Sequence, residues 1–317
     1  MPEDINALKA RCTIPGFKGM HADMTCLGFR YQEGSVFHTD KPAVRCRSGF
    51  HYCGLPLNVW DYYDPGRNNR FFSVLAEPTD EDGMSCHDTK SATQTLYVQQ
   101  ELTVEDLIEE HCGLADDTHY KPGAPDETVV LRSGVYVVAK TEYWLCFAVA
   151  DGPSSAAVTT GCCSMSAVRH MSSAALTRGH SSIALAVNVC SYAKAAGPRS
   201  CAVVLNEGSK AETSGVGSVA SAQCRKGVVV CSGDCSVGIL GNGIAEISGS
   251  DSVLVIYCVD KNTRLRLRPG TVLVWIMHSD GGIMAWIAGK DIRPNTDGIY
   301  TQEILEAARA RKEKQNG

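Results

Sequence analysis

Serine recurs every nine residues through the middle of this chain, at Ser155, Ser164, Ser173, Ser182, Ser191, Ser200, Ser209 and Ser218. Gly227 takes the next slot and Ser236 resumes the series. Two positions after each serine stands a small residue, as at Ala157, Ala175, Ala184, Ala193, Ala202, Ala211 and Ala220. Six positions after it stands a turn former, as at Gly161, Gly179, Asn188, Gly197, Asn206, Gly215 and Gly233, with His170 and Cys224 as exceptions. A one-residue deletion near Gly241 to Gly243 breaks the register, and Ser252 restarts it. A fixed period constrains a fold more than composition does, because one short unit cannot bury a face alone and must stack on its neighbours.

The unit Ser-x-Ala-x-small-x-Gly/Asn-x-x reads as a β-solenoid coil. Each nonapeptide supplies a strand of about five residues and a corner, where Gly or Asn is expected to adopt a positive φ. Alternate side chains of a strand share a face, so positions one, three and five point into a core too narrow for large residues. Positions two and four point outward. Two nonapeptides per coil make an 18-residue turn with two opposed sheets, so every second repeat belongs to the same sheet. One set of outward residues includes Met165, Ile183, Leu185, Val203, Val219, Val237 and Ile239 and is apolar almost end to end. The other turns polar in the middle, at Lys194, Lys210 and Glu212. An apolar face of that extent is rarely left in water. It is expected to be covered by another copy of the chain or by a flanking domain.

The rest of the chain divides around this array. Residues 1–112 read as a small α+β domain, 113–154 as connecting strands, 155–251 as the solenoid, and 252–317 as a C-terminal β meander with a terminal helix. The fold class is therefore mainly β. In the N-terminal domain Gly28 to Tyr31, Arg70 to Leu75 and Gln94 to Gln100 are expected strands. Pro56 to Tyr63 is an expected short helix, and Thr103 with Asp106 forms a capping box for another. At the other end Ser252–Val259, Thr271–Met277 and Ile283–Ala288 are the meander strands, with a hairpin turn at Ser279 to Gly282. Arg264, Arg266 and Arg268 alternate along a strand as a basic edge, a candidate anion site. The helix from Gln302 to Lys314 is expected to be exposed or at an oligomer contact.

Composition enters mainly to exclude. Hydrophobic residues at 44% and charged residues at 21% are those of a globular protein, not of a disordered chain, a collagen or a coiled coil. A net charge of -5 argues against a general polyanion binder, so no specific nucleic acid is expected. The solenoid, with seven basic and five acidic residues between 155 and 251, is too near neutral for a DNA mimic. It also lacks the aspartate of calcium-binding nonapeptides, so no calcium is expected. No apolar run is long enough to cross a bilayer, and the N-terminus lacks a secretory pattern, so the expectation is a soluble cytoplasmic protein without a membrane partner. Fifteen cysteines, an odd number, fit reduced thiols better than a disulfide framework. A metal site from Cys46, His51, Cys53, Cys86 and His87 is conceivable, but packed thiols explain these residues more simply, and the reading carries no metal and no cofactor.

Three stretches in the first domain, Cys26-Leu-Gly-Phe-Arg-Tyr-Gln-Glu-Gly34, Cys46-Arg-Ser-Gly-Phe-His-Tyr-Cys53 and Pro56-Leu-Asn-Val-Trp-Asp-Tyr-Tyr63, carry a resemblance, as does Met284-Ala-Trp-Ile-Ala-Gly-Lys-Asp-Ile-Arg-Pro-Asn295 near the end. With the repeat between them, the chain resembles a family of phage and prophage proteins that pair an N-terminal domain with nonapeptide Ala/Gly/Ser repeats and a short C-terminal β domain. This copy departs from that pattern by placing Cys, Arg and His where the family favours Ala, Gly and Thr. The repeat is also similar to the β-roll heads of trimeric bacterial adhesins. What the resemblance implies is a viral setting, in the host cytoplasm or alternatively in the virion, and a homo-oligomer with a trimer favoured. It implies no transferable activity.

Ser48 to Cys53, the helix ending at Tyr62-Tyr63 and the strand Arg70–Leu75 distantly resemble the nicotinamide-pocket segment of ADP-ribosyltransferases. That resemblance implies NAD contacts from Arg30, His51 and Tyr63, with Glu101 as the nearest candidate for the ribose-orienting glutamate. Glu101 stands at the end of its strand rather than the start, which tells against the chemistry. Nucleophile elbows and phosphate loops are absent as working patterns. The reading is of a non-enzymatic protein that self-assembles through its solenoid and binds a protein partner, such as a host or defence factor it inhibits. The alternatives are a virion or tail component and an NAD-binding transferase-like domain, active or degenerate.

Overall fold

The computed structural model describes residues 4–79, 89–115, 120, 124, 127–277 and 283–316, and it falls into two units, Met1–Tyr120 and Lys121–Gly317. Cys86, His87 and the expected hairpin turn Ser279 to Gly282 lie outside the described residues.

The first unit is an α+β body around a six-stranded antiparallel sheet. Its axis is the strand Ile14–Met20, which pairs along its whole length with Arg70–Ala76 and at Phe17 with Cys53 of the strand Phe50–Cys53. Lys90–Thr93 extends the sheet beyond Phe50–Cys53, and Thr95–Leu102 lies on the far side of Arg70–Ala76. Met20, Phe72, Val74, Leu96 and Val98 are fully buried between these strands. Pro56–Asp61 is a 3-10 helix with proline in its first turn. Val104–Leu114 is an α-helix closed by the capping box, in which the Thr103 side chain accepts from the Asp106 amide and Asp106 accepts from that of Thr103.

The second unit is a β-solenoid of about eight coils over residues 129–276. Two parallel sheets form its walls, and strands of one sheet alternate along the chain with strands of the other. Successive strands of a sheet stand 18 residues apart, as where Ala156 lies opposite Ala174 and Ile183 opposite Cys201. The third-position side chains Ala157, Ala175, Ala184, Ala193, Ala202, Ala211 and Ala220 are all fully buried and form the core ladder.

The repeating serine does more than fill a small slot. From Ser155 to Ser218 each hydroxyl is buried at a corner, where it accepts from a backbone amide one coil away and directs its one proton at carbonyl oxygen. Ser200 Oγ accepts from Ser182 N at 3.1 Å and lies 3.1 Å from Gly179 O and 3.3 Å from Pro198 O. Ser164, Ser173, Ser182 and Ser191 repeat that arrangement, so one oxygen per nonapeptide satisfies an amide that no strand pairing reaches.

The corners correct the expected role of glycine. Gly161, Gly179, Gly197, Gly215 and Gly233 do not have positive φ. A Cβ on Gly197 would overlap the Gly179 carbonyl, and one on Gly215 the Gly197 carbonyl, so close backbone approach between coils excludes a side chain. The left-handed residue is instead the one before each serine, including Cys163, Ser172, Cys190, Arg199 and Cys235, with φ of 54° to 56°. The asparagines take the opposite corner, where Asn188 Nδ2 donates to Arg169 O at 3.4 Å.

The coil also extends past the window 155–251. Strands Val129–Ser133, Val138–Thr141 and Phe147–Asp151 are full members of the two sheets, in the segment expected to be connecting strands. At the far end Ser252–Ile256 and Val272–Met277, expected in a meander, pair in parallel as further coils. Of the three expected meander strands, the last, Ile283–Ile287, turns back antiparallel onto Val272–Met277. The loop at Gly241 to Gly243 shortens one coil by two residues rather than one, so Val237 faces Val253. The next coil is longer, with Ile244 opposite Arg264. In these coils Leu254, Ile256, Leu265 and Val274 replace the alanine ladder.

The helix Gln302–Asn316 is not a free appendage. Leu305 and Ala308 are buried in the same apolar cluster as the last coils, and Lys312 Nζ donates to Ala285 O at 2.7 Å. Nor is Arg264–Leu267 an open edge, since Tyr300–Thr301 pairs antiparallel with it. Among the described residues no helix is long and apolar enough to cross a membrane.

Candidate functional site

Two features stand out, one in each unit. In the solenoid, the sheet that begins at Val129–Ser133 has uncharged residues at the second and fourth positions of its repeats, with Asp151 and Arg169 paired at 3.6 Å beside them. Those positions run from Val129 and Leu131 through Phe147, Met165, Ile183, Leu185, Val203, Val219, Val237 and Ile239 to Trp275. Ile183 is 44% exposed, Phe147 45% and Trp275 40%. The predicted apolar face is thus one continuous strip. The opposite sheet differs as expected: Glu212 takes Lys194 at 3.3 Å, Lys210 at 2.9 Å and the Tyr192 hydroxyl at 3.0 Å. Burial alone would raise the Glu212 carboxyl, but the two ammonium groups and their hydrogen bonds outweigh it and hold it below the usual range.

The candidate anion edge is largely occupied. Arg264 Nη1 donates to Lys261 O and Thr263 O at 2.9 and 2.8 Å, Arg266 lies 4.0 Å from Glu246, and Arg268 Nη1 is 3.5 Å from Ser248 O.

In the first unit a cavity of about 380 Å³ opens beside the strand Ile14–Met20. The strand makes room for it through two glycines. A Cβ on Gly16 would collide with the Tyr52 ring, and one on Gly19 with the Tyr63 ring. Glycine in a strand marks such close approach. Between them Lys18 is 4% exposed. Its Nζ donates to His51 O at 2.7 Å, lies 3.8 Å from Cys26 Sγ and sits 4.8 Å from the centre of the Tyr31 ring. Burial holds the Lys18 ammonium below its ordinary pKa, partly offset by the thiols of Cys26 and Cys53. Burial raises the Tyr31 and Tyr63 phenols, reinforced at Tyr63 by a hydrogen bond with Cys26.

The nicotinamide-pocket residues divide. His51 and Tyr63 both line this cavity. His51 Nε2 accepts the Cys46 amide at 2.9 Å, which fixes the tautomer with the proton on Nδ1. Arg30 sits exposed on the two-residue strand Phe29–Arg30, outside the cavity lining. Glu101 also lies outside it, held by Arg70 through bonds of 2.8 and 2.6 Å. The four residues do not converge on one site. Cys46 and Cys53 reach the cavity wall beside His51, but the described residues contain no group of three His, Cys, Asp or Glu side chains placed to hold a metal.

Sequence reasoning missed Lys18. The signal that could have found it is Gly16-Phe17-Lys18-Gly19, a lone cation between two glycines in an otherwise apolar strand. Against known proteins, no curated protein and no solved structure matches the chain. A family model described as "Domain of unknown function (DUF7666)" matches residues 14–110, the segment that builds this cavity.

Proposed function

We propose that the chain is a non-enzymatic, self-assembling protein whose solenoid is the assembly module. The observation that supports it is the strip on one sheet, whose second and fourth repeat positions are uncharged from Val129 to Trp275, with the Asp151–Arg169 pair beside it. Nine parallel strands at about 4.8 Å spacing make the strip about 40 Å long, and four residues per strand make it about 13 Å wide. Roughly 500 Å² in projection, before side-chain relief, approaches the roughly 800 Å² that each partner contributes to a specific interface. An uncharged surface offers nothing to select a differently charged partner, whereas a second copy hides the same strip on both sides. A trimer turns three such faces onto one axis, in keeping with the similarity to trimeric adhesin heads.

The viral setting belongs to the same proposal and is supported by the segments quoted from both ends of the chain. On it, the end units bind a protein partner in the host cytoplasm; copurification with virions would instead favour the structural role. The transferase reading has less support, because Glu101 is engaged with Arg70 away from the cavity.

Cys201 tests the assembly, since it lies on the strip between Ile183 and Val219. In the reduced wild-type protein its alkylation should be slow relative to that of Cys235, an exposed corner thiol. Val237→Asp with Ile239→Lys, two strands along the stack, should speed Cys201 labelling relative to Cys235. An unchanged ratio would contradict the proposal.

A further inference from the structure

We propose that the cavity beside Lys18 binds a small organic anion, a carboxylate or phosphate monoester on a flat apolar body. A lysine this buried ordinarily faces a carboxylate, because an uncompensated buried charge is costly. Here no carboxylate lies within hydrogen-bonding distance of Lys18 among the described residues. Its two acceptors are a backbone carbonyl and a thiol, which leaves one of three ammonium hydrogens without a protein acceptor.

The rest of the lining points the same way. Arg47 and Lys90 join Lys18 around the cavity, and no Asp or Glu lines it among the described residues. Arg47 is exposed and makes no side-chain ion pair among the described residues. Lys90 stands 4.2 Å from the centre of the Tyr62 ring, so a cation and an aromatic face are presented together. Tyr63, held edge-on to His21 at 5.3 Å, and Phe17 supply further apolar wall. Three cations around an aromatic slot fit a planar anion: its charged end supplies the counter-charge that Lys18 lacks, and its body covers the rings. A volume of about 380 Å³ suits a single small molecule.

The test titrates the full-length protein with benzoate and with phenyl phosphate, using benzamide as the uncharged analogue of the same shape, by calorimetry. At least one anion should bind in the millimolar range or tighter, at least about tenfold more tightly than benzamide. Which anion binds better separates a carboxylate source from a phosphate source. Lys18→Met should weaken that anion by at least about tenfold while the thermal midpoint of the unliganded protein holds or rises, because a buried charge without a carboxylate partner has been removed. Should Lys18→Met fail to fold, Arg47→Gln, on an exposed residue, should still weaken the anion several-fold and leave benzamide unaffected. Equal affinity for anion and amide, no binding of either anion, or unchanged anion affinity in folded Lys18→Met overturns the proposal.

Discussion

Replacing Ser200 by alanine removes a single oxygen from the solenoid and leaves the shape of its core unchanged. Among the described residues that oxygen is the one acceptor of the Ser182 amide, at 3.1 Å, and both residues are buried. Its two contacts with the Gly179 and Pro198 carbonyls are lost as well, but a carbonyl tolerates a missing donor better than a buried amide tolerates a missing acceptor. A buried donor left unsatisfied costs about 1–3 kcal/mol, so Ser200→Ala should destabilise the solenoid by about 2 kcal/mol. For a unit of this size the thermal midpoint should fall by about 4–8 °C. Circular dichroism reads the midpoint, and hydrogen exchange at the Ser182 amide reads the cause, since its protection should fall before that of its neighbours. Ser232→Ala, at an exposed corner position, is the control and should stay within about 0.5 kcal/mol of wild type. Equal effects at the two positions would refute the argument that the hydroxyl, rather than small size, selects serine every nine residues.

The other predictions probe different layers. Ala184→Leu places a large side chain in the fully buried alanine ladder and should cost about 1–3 kcal/mol in a urea titration, while Ala139→Val, a smaller gain in volume at an equally buried alanine, should cost less. Gly197→Ala should be worse than either, about 3 kcal/mol or more, because its Cβ meets the Gly179 carbonyl and the coils must part. In the first unit Arg70 holds the Glu101 carboxyl below its usual range. The pair therefore adds stability at pH values above the unfolded carboxyl pKa of about 4.3, and that contribution is lost as pH falls through the lower folded value. Arg70→Gln should flatten this acid limb, by less than about 1 kcal/mol because both side chains reach solvent. For Lys18 the sign is reversed: with the folded pKa depressed, the unfolded chain binds more protons. Wild-type stability should then rise from its folded value toward pH of about 10.4, and Lys18→Met should lack that rise in a pH series of unfolding.

The sequence made the solenoid legible where its core is built from serine and alanine. Size selection at Ala184 or Ala202 leaves a periodic trace because only small residues fit between coils. The trace fades where the core widens: Leu254, Leu265 and Val274 occupy the same inward position without marking a period. Coils of altered length, with Val237 opposite Val253 and Ile244 opposite Arg264, remove it altogether. The two outward faces were readable because alternation in a strand is strict. The reason for the corner glycines was not, since positive φ and close approach favour the same residue, and only the neighbouring carbonyl distinguishes them. The Lys18 cavity is assembled from the strands Ile14–Met20, Phe50–Cys53 and Lys90–Thr93, the 3-10 helix and residues between them, far apart in the chain, so no local spacing announces it.

The mass of the reduced protein in solution, by light scattering on a sizing column, tests the central claim most directly. Three times the 34.0 kDa chain mass is the expected value, with Ile183→Asp plus Leu185→Lys reducing it to one chain mass while far-ultraviolet dichroism stays unchanged. A wild-type protein that runs at 34.0 kDa across the accessible concentration range would contradict the assembly account.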